Sequence, residues 1–282
     1  MKTIGVIANR DKDIGYNHTK VVIENLLDKG FEVLVPPGIG ESIDLPARTT
    51  DSIYNDSDFV ICIGGDGTFL NVARKAYYFR KPILGINKGT VGFLAEVEVK
   101  DIGEAINRLA RGDYIIQPRM VLDVEVWRKG EKVYSDIAIN DAVVSRTALS
   151  RILRLKVMMD NKYVDSFPGD GVIVSTPTGS TGYTLSTGGP IIQPDMRLMV
   201  FSPICPHILY SRSFIVPEST TVQISIDKEG ELDAMLTSDG QNGFKLQKED
   251  EVRVMSSGRD ILFASVCDVN FYDVLRAKIR GN

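Results

Sequence analysis

Apolar residues follow two different rhythms along the chain. Up to about residue 115 they come as short unbroken runs alternating with stretches of helical spacing. Residues 4–8 (IGVIA) and 59–63 (FVICI) read as strands covered on both faces. Residues 19–29 carry Val22, Ile23, Leu26 and Leu27 at helical spacing, with Gly30 placed to end the helix. Residues 31–35 and 82–86 predict two further strands, and residues 69–79 a helix. Asp101 and Glu104 have capping-box spacing ahead of Ile102, Ala105, Ile106 and Leu109, and Gly112 is a stop signal. Strands alternating with helices predict βαβ units around a mostly parallel, Rossmann-like sheet.

After Pro118 the period shortens to two. Leu122, Val124 and Val126 alternate with polar residues, as do Leu153, Leu155 and Val157, then Val222, Ile224 and Ile226, then Val252 and Val254. Turns are predicted at residues 128–131 and 160–162. This texture belongs to a mainly antiparallel, half-solvated β domain. Phe271, Val274, Leu275 and Ile279 return to helical spacing, so a C-terminal helix is expected to cross back onto the first domain. The predicted organisation is an α/β domain over residues 1–117, completed by 268–282, and an all-β domain over 118–267.

Composition fits this picture and narrows the function. The chain has 282 residues, 43% hydrophobic and 25% charged, enough apolar material for sizeable cores. Thirty-three basic against 37 acidic residues leave a net charge of −4, which argues against nucleic acid or anionic lipid as partner. A polyanionic ligand must therefore be held by local donors. Cys62, Cys205 and Cys267 form no CxxC pair, and His18 and His207 are the only histidines. The expectation is three small core thiols in a reducing cytoplasm, with no zinc site or disulfide frame. No apolar run approaches the roughly 20 residues of a membrane helix.

The stretch Gly64-Gly65-Asp66-Gly67-Thr68 follows a buried strand and precedes a helix. Glycines let a ligand approach the backbone, and the helix N-terminus offers unpaired N–H groups to an anion. No Gly-Lys-Ser/Thr follows, so this is not a Walker loop, and the dinucleotide fingerprint glycine is missing too. A carboxylate repels phosphate unless a metal or a proton lies between them. Asp66 thus reads either as a metal-linked or proton-accepting group, or as a helix cap.

Together with Phe69-Leu70, this stretch resembles the GGDGT motif of NAD kinases, diacylglycerol-type lipid kinases and, more loosely, 6-phosphofructokinases. Three further segments resemble NAD kinases specifically. They are Gly85-Ile86-Asn87 with Gly89, Gly92, Phe93 and Leu94; the pair Asn140-Asp141; and Gly169-Asp170-Gly171 through Pro177-Thr178-Gly179-Ser180-Thr181-Gly182-Tyr183. Weaker echoes are Ile204–His207 with Arg212, and Ser238-Asp239-Gly240-Gln241. The resemblance runs from about residue 4 to 275, and one departure is Gly182, where the family often has alanine.

The resemblance implies transfer of the γ-phosphoryl group of ATP to the 2′-hydroxyl of the adenosine ribose of NAD, with Mg²⁺ or Mn²⁺ as the divalent ion. Asp66 becomes the candidate catalytic carboxylate, and Gly64, Gly65, Gly67 and Thr68 the phosphate cradle. Asn140 and Asp141 are the implied ribose readers, against an Asx turn at a strand end. Asp170, Thr178, Thr181, Gly182, Tyr183 and Ser186 are implied NAD contacts, against an ordinary Ser/Thr/Gly loop. Phe93 lines the adenine pocket or is a core phenylalanine. Asp239-Gly240-Gln241 is an acidic element near the donor or a plain turn, with Gln241 a candidate donor contact. His207 is expected to be a structural imidazole. Lys88, Arg146, Arg151, Arg154 and Lys156 are candidate phosphate cations, Arg151 foremost. The family also implies a homodimer or homotetramer through the β domain.

Three competing readings remain at this stage. A lipid kinase needs an apolar acceptor cavity, and residues 169–183 are polar. A non-catalytic nucleotide sensor gains nothing from Asp66 beside a diphosphate. A dehydrogenase lacks the fingerprint glycines.

Overall fold

The protein is described here from a computed structural model, which covers residues 2–88, 92–147, 152–209, 211–226, 233–267 and 270–280. The chain forms two compact units, residues 1–118 with 261–282, and residues 119–260.

The first unit is built on a seven-stranded sheet. Its strands run in the order Glu32–Leu34, Thr3–Ala8, Phe59–Gly64, Ile83–Asn87, Ile261–Ser265 and Ile115–Arg119, with the short Val97–Glu98 pairing beside Ile83–Asn87. Pairings from Glu32–Leu34 through Ile261–Ser265 are parallel. Every residue of Phe59–Gly64 is buried, which explains why that strand shows no polar alternation. Helix Asn17–Asp28 turns Val22, Ile23 and Leu26 onto the sheet residues Ile4, Val6, Ile61 and Ile63. Helix Asp66–Phe79 begins three residues before the run at 69–79 announces it. Two short helices, Pro37–Ile43 and Thr50–Asp56, were not legible in the hydrophobic pattern. The expected capping box does not form: Asp101 makes no side-chain cap bond, and Glu104 instead pairs with Arg111 at 3.0 Å.

The crossing back begins at Ile261 rather than at residue 268. Strand Ile261–Ser265 belongs to the first unit because its backbone pairs with Ile83–Asn87 and Ala264 joins that unit's core. Glu96 secures the crossing by accepting from the Ser265 hydroxyl and the Val266 N–H at 2.8 Å each, and from the Cys267 N–H at 3.4 Å. Helix Phe271–Arg280 follows, with the Phe271 ring 6.3 Å from that of Phe93.

The second unit contains two six-stranded sheets. One runs Lys162–Gly169, Leu153–Met159, Val222–Ile226, Asp250–Ser256, Leu122–Arg128, Glu131–Ala138; the other runs Phe214–Pro217, Leu198–Ile204, Gly171–Ser175, Asp141–Arg146, Ala234–Ser238, Asn242–Lys245. The period-two residues Leu122, Val124, Leu155, Val157, Ile224 and Val252 of the first sheet share one core with Val144, Val172, Val174, Phe201 and Leu236 of the second. The alternation read from sequence is therefore the inward set of a two-sheet packing. The expected turns close tightly, with Lys129 and Gly130, then Asp160 and Asn161, in left-handed conformations.

Two expectations about buried groups are corrected. Only Cys62 is a core thiol; Cys205 is exposed and Cys267 half-buried, all three free. His207 is exposed, tied in through its backbone N–H to the Pro168 carbonyl at 2.8 Å. Among the described residues no helix is long and apolar enough to cross a membrane.

Candidate active site

In the first unit, strand order reverses direction at Thr3–Ala8, which pairs with Glu32–Leu34 on one side and Phe59–Gly64 on the other. The carboxyl ends of strands flanking such a switch point are where open α/β sheets bind ligands. The GGDGT stretch lies there, at the end of Phe59–Gly64, and Asn9 follows Thr3–Ala8. The Asn9 side-chain amide donates to the Thr68 hydroxyl at 3.1 Å, joining the two strand ends. Nothing in the sequence singled out Asn9, because its partner lies 59 residues away.

Asp66 occupies the first position of helix Asp66–Phe79, and Gly65 is the N-cap. The cap reading is thereby settled: the Asp66 carboxylate does not fold back on its own helix. Its two oxygens accept from the backbone N–H groups of Phe93 at 3.3 Å and Ala95 at 3.4 Å, and the side chain is half-exposed. Helical bonding starts with the Phe69 N–H donating to the Gly65 carbonyl, so the amides of Gly67 and Thr68 precede the ladder. Gly65 and Gly67 lack positive φ, and a β-carbon on either would meet no heavy atom within 4 Å. Neither backbone strain nor packing within the chain demands glycine there; open approach to the main chain does. Phe93 is half-buried against Phe271, and Lys88 donates to the Lys12 carbonyl at 2.5 Å.

In the second unit three segments meet at one end of the second sheet. Register pairs Ser175 with Asp141 and Ala142 with Ser238, so the start of Asp141–Arg146, the end of Gly171–Ser175 and the end of Ala234–Ser238 are neighbours. The Asn140 carbonyl accepts from the Thr176 N–H at 2.9 Å and the Ser175 hydroxyl at 3.1 Å. The Thr176 hydroxyl donates to the Ile139 carbonyl at 2.6 Å and accepts from the Gly179 N–H at 3.2 Å. This brings the 178–181 turn so close that a β-carbon on Gly179 would lie 2.2 Å from the Asn140 carbonyl oxygen.

The groups left over are polar and pointed inward. Asn140 Oδ1 and Thr178 Oγ1 are buried without a hydrogen-bond partner. Asp141 beside them is buried, 7% exposed. Burial, with the neighbouring negative charge of Asp239, pushes its pKa up to about 7. No Asx turn forms at Asn140, since its side-chain oxygen bonds nothing. Buried polar atoms are rarely left unpaired, so the two around this turn are available to hydrogen-bond a polar ligand. Thr181 is half-buried and Gly182, Tyr183 and Ser186 are exposed along the same turn and the short helix Tyr183–Ser186. Burial, then the neighbouring Cys205, Asp170 and Asp141, raises the Tyr183 hydroxyl pKa.

Several candidate cations are accounted for otherwise. Arg146 is bound to Asp170, Nε to Oδ1 at 2.6 Å. Arg154 and Lys156 are the outward residues of strand Leu153–Met159 and follow its alternation. Arg151 and Gly89 lie outside the described residues. The Asp239 carboxylate accepts from the backbone N–H groups of Ile139, Asn140 and Asp141, and Gln241 lies exposed at the adjoining hairpin tip. Among the described residues no three His, Cys, Asp or Glu side chains converge to hold a metal ion.

Comparison with known proteins bears directly on both groups of residues. Residues 4–114 match the ATP-NAD kinase N-terminal domain family, and residues 139–266 match the ATP-NAD kinase C-terminal domain family. The chain is 41% identical to the NAD kinase of Acetivibrio thermocellus over 281 residues, covering 99% of this chain and 97% of that one. It is 40% identical to the NAD kinase of Ruminiclostridium cellulolyticum, covering 99% and 98%. Its fold superposes on yeast NADH kinase complexed with NADH with a TM-score of 0.91 at 23% identity, over 100% of this chain and 88% of that one. On an Archaeoglobus fulgidus NAD kinase in complex with ATP the TM-score is 0.75 at 24% identity, over 99% of each chain.

Proposed function

The chain belongs to the ATP-NAD kinase family, and from that premise we propose how its own residues carry the ATP-dependent phosphorylation of NAD to NADP. The observation that carries the reading is the pair of partnerless buried atoms Asn140 Oδ1 and Thr178 Oγ1, beside the buried residue Asp141, around one turn. They suit the ribose hydroxyls and adenine amino group of NAD. Thr181, Gly182 and Ser186 flank that turn, Tyr183 offers its exposed ring as a stacking face, and Asp170 with its Arg146 partner adds a polar edge. In the first unit Phe93 is a half-buried apolar side chain assigned to NAD.

Phosphoryl transfer passes through a loose transition state, so positioning and charge neutralisation dominate. Gly65 and Gly67 present main-chain amides at a helix N-terminus with open space before them, suited to phosphate oxygens, and Gly64 and Thr68 flank them. Asp66, fixed by the Phe93 and Ala95 amides, orients the 2′-hydroxyl of the adenosine ribose and accepts its proton late in the transfer. Gln241 and Arg151 are assigned to the donor side. A divalent ion, Mg²⁺ or Mn²⁺, fits this chain as a companion of the triphosphate rather than as the tenant of a protein cage, since no metal-binding cluster forms among the described residues. We assign the enzyme to the cytoplasm, consistent with its three free thiols, and to a homo-oligomer assembled through the β unit.

The test is direct. Purified protein with ATP, Mg²⁺ and NAD should form NADP, read by a dehydrogenase specific for NADP, and diacylglycerol should not be phosphorylated. NAD turnover that persists unchanged in Asn140→Ala and Asp141→Asn would remove the binding assignment.

A further inference from the structure

Asp239 is 8% exposed and sits with a φ of 54° in the hairpin turn between Ala234–Ser238 and Asn242–Lys245. Aspartate is among the few residues that visit this left-handed conformation, and Asp-Gly is a favoured dipeptide for such a turn. Turn formation alone would account for the residue if its side chain pointed to solvent. It points inward instead. Oδ2 accepts from the Ile139 N–H at 2.9 Å, and Oδ1 accepts from the Asn140 N–H at 2.7 Å and the Asp141 N–H at 3.2 Å. Its own N–H donates to the Asp141 carbonyl at 2.9 Å. Three successive amides thus converge on one carboxylate, an anion-binding concavity filled by the chain itself.

We propose that Asp239 is a positioning residue for NAD, holding the backbone of Asn140 and Asp141 so that their side chains meet the dinucleotide. The proposal rests on the assignment of Asn140 and Asp141 to NAD. Both carboxylate oxygens are needed, because an asparagine would turn an NH₂ toward an N–H donor. The charge comes at a cost: it lies beside Asp141, which it makes harder to ionise. A residue kept only for its turn would avoid that repulsion, since asparagine and glycine enter the same conformation without it.

The experiment compares Asp239→Asn and Asp239→Gly with Asn140→Ala and Asp141→Asn in the full chain. Both Asp239 variants satisfy the turn but leave buried N–H groups short of an acceptor, so Tm should fall while the chain still folds. The KM for NAD should rise about 10–100-fold, as when an outer-shell hydrogen-bond partner is removed, while the KM for ATP changes less than about twofold. The acid limb of kcat/KM for NAD should also move to lower pH, because Asp141 loses the Asp239 charge, leaving Tyr183 as its other titratable neighbour. An unchanged KM for NAD in Asp239→Gly overturns the proposal, as does a parallel rise in both KM values or loss of folding in both variants. If Asn140→Ala and Asp141→Asn leave NAD kinetics untouched, the NAD assignment itself has failed, an outcome separable from the first.

Discussion

A β-carbon on Gly92 would lie 2.0 Å from Oδ1 of Asp66. The sequence places these residues in two separate motifs, and the structure makes them one unit. Gly92 leaves the space, and the amides of Phe93 and Ala95 hold the carboxylate in it. Gly92→Ala should therefore displace Asp66 without touching either nucleotide. Misplacement of a reacting group by an ångström costs about 10²-fold, so kcat should fall by that order while both KM values hold. Steady-state kinetics with a parallel Tm measurement check it; an unaltered kcat would detach Asp66 from the chemistry.

Asp66→Asn keeps the shape and the acceptor oxygen but removes the base. General-base assistance is worth about 10²–10⁴-fold, so turnover should drop in that range. Calorimetric titration should find NAD affinity largely retained, because the buried acceptors of the second unit are untouched.

Two neighbouring glycines should behave oppositely. A β-carbon on Gly179 meets the Asn140 carbonyl oxygen at 2.2 Å, whereas on Gly182 the first contact is the Gly179 carbonyl oxygen at 3.3 Å. Gly179→Ala must push the turn away from Asn140 and should abolish measurable NAD saturation. Gly182→Ala asks the Gly179 carbonyl to yield a few tenths of an ångström. Its NAD KM should stay within about threefold, with a stability change of under about 1 kcal/mol.

Asp141 should cost the ligand-free protein stability as pH rises. Its folded pKa of about 7 lies above the ordinary 3.8, so the folded state favours the neutral acid. The unfolded chain ionises from pH 4 upward while the folded one resists until about pH 7, and native stability falls across that window, by up to about 4 kcal/mol. Asp141→Asn removes the titration. Its Tm advantage over the parent should grow between pH 4 and 7, then level off. A pH-independent difference would show that Asp141 ionises normally. The same variant should bind NAD more weakly, so the residue trades stability for recognition.

Much of this arrangement was legible because it is local. Continuous apolar runs marked the strands buried on both faces, and period two marked the β unit. The GGDGT stretch was found at a strand end because its glycines and helix are contiguous. What escaped was short or distant. Helix Pro37–Ile43 is seven residues long and begins at a Pro-Pro-Gly sequence, too brief for a period to register. The grips of Asn9 on Thr68, Glu96 on Ser265 and Asp239 on Asn140 span 59, 169 and 99 residues. Each joins segments far apart in the chain through a few polar contacts, and no one-dimensional pattern encodes which distant group a polar side chain will choose. The pattern places residues 261–265 with the β domain and the backbone pairs them with Ile83–Asn87, for a related reason: an apolar strand does not announce which sheet it will join.

The grip of Glu96 on residues 265–267 has a consequence for the order of events in the cell. On the ribosome the first unit cannot close its sheet when residues 1–118 emerge, because the strand Ile261–Ser265 is made only after the whole β unit. The β unit, continuous from 119 to 260, is free to fold first, leaving a nascent parallel sheet with an open edge throughout its synthesis.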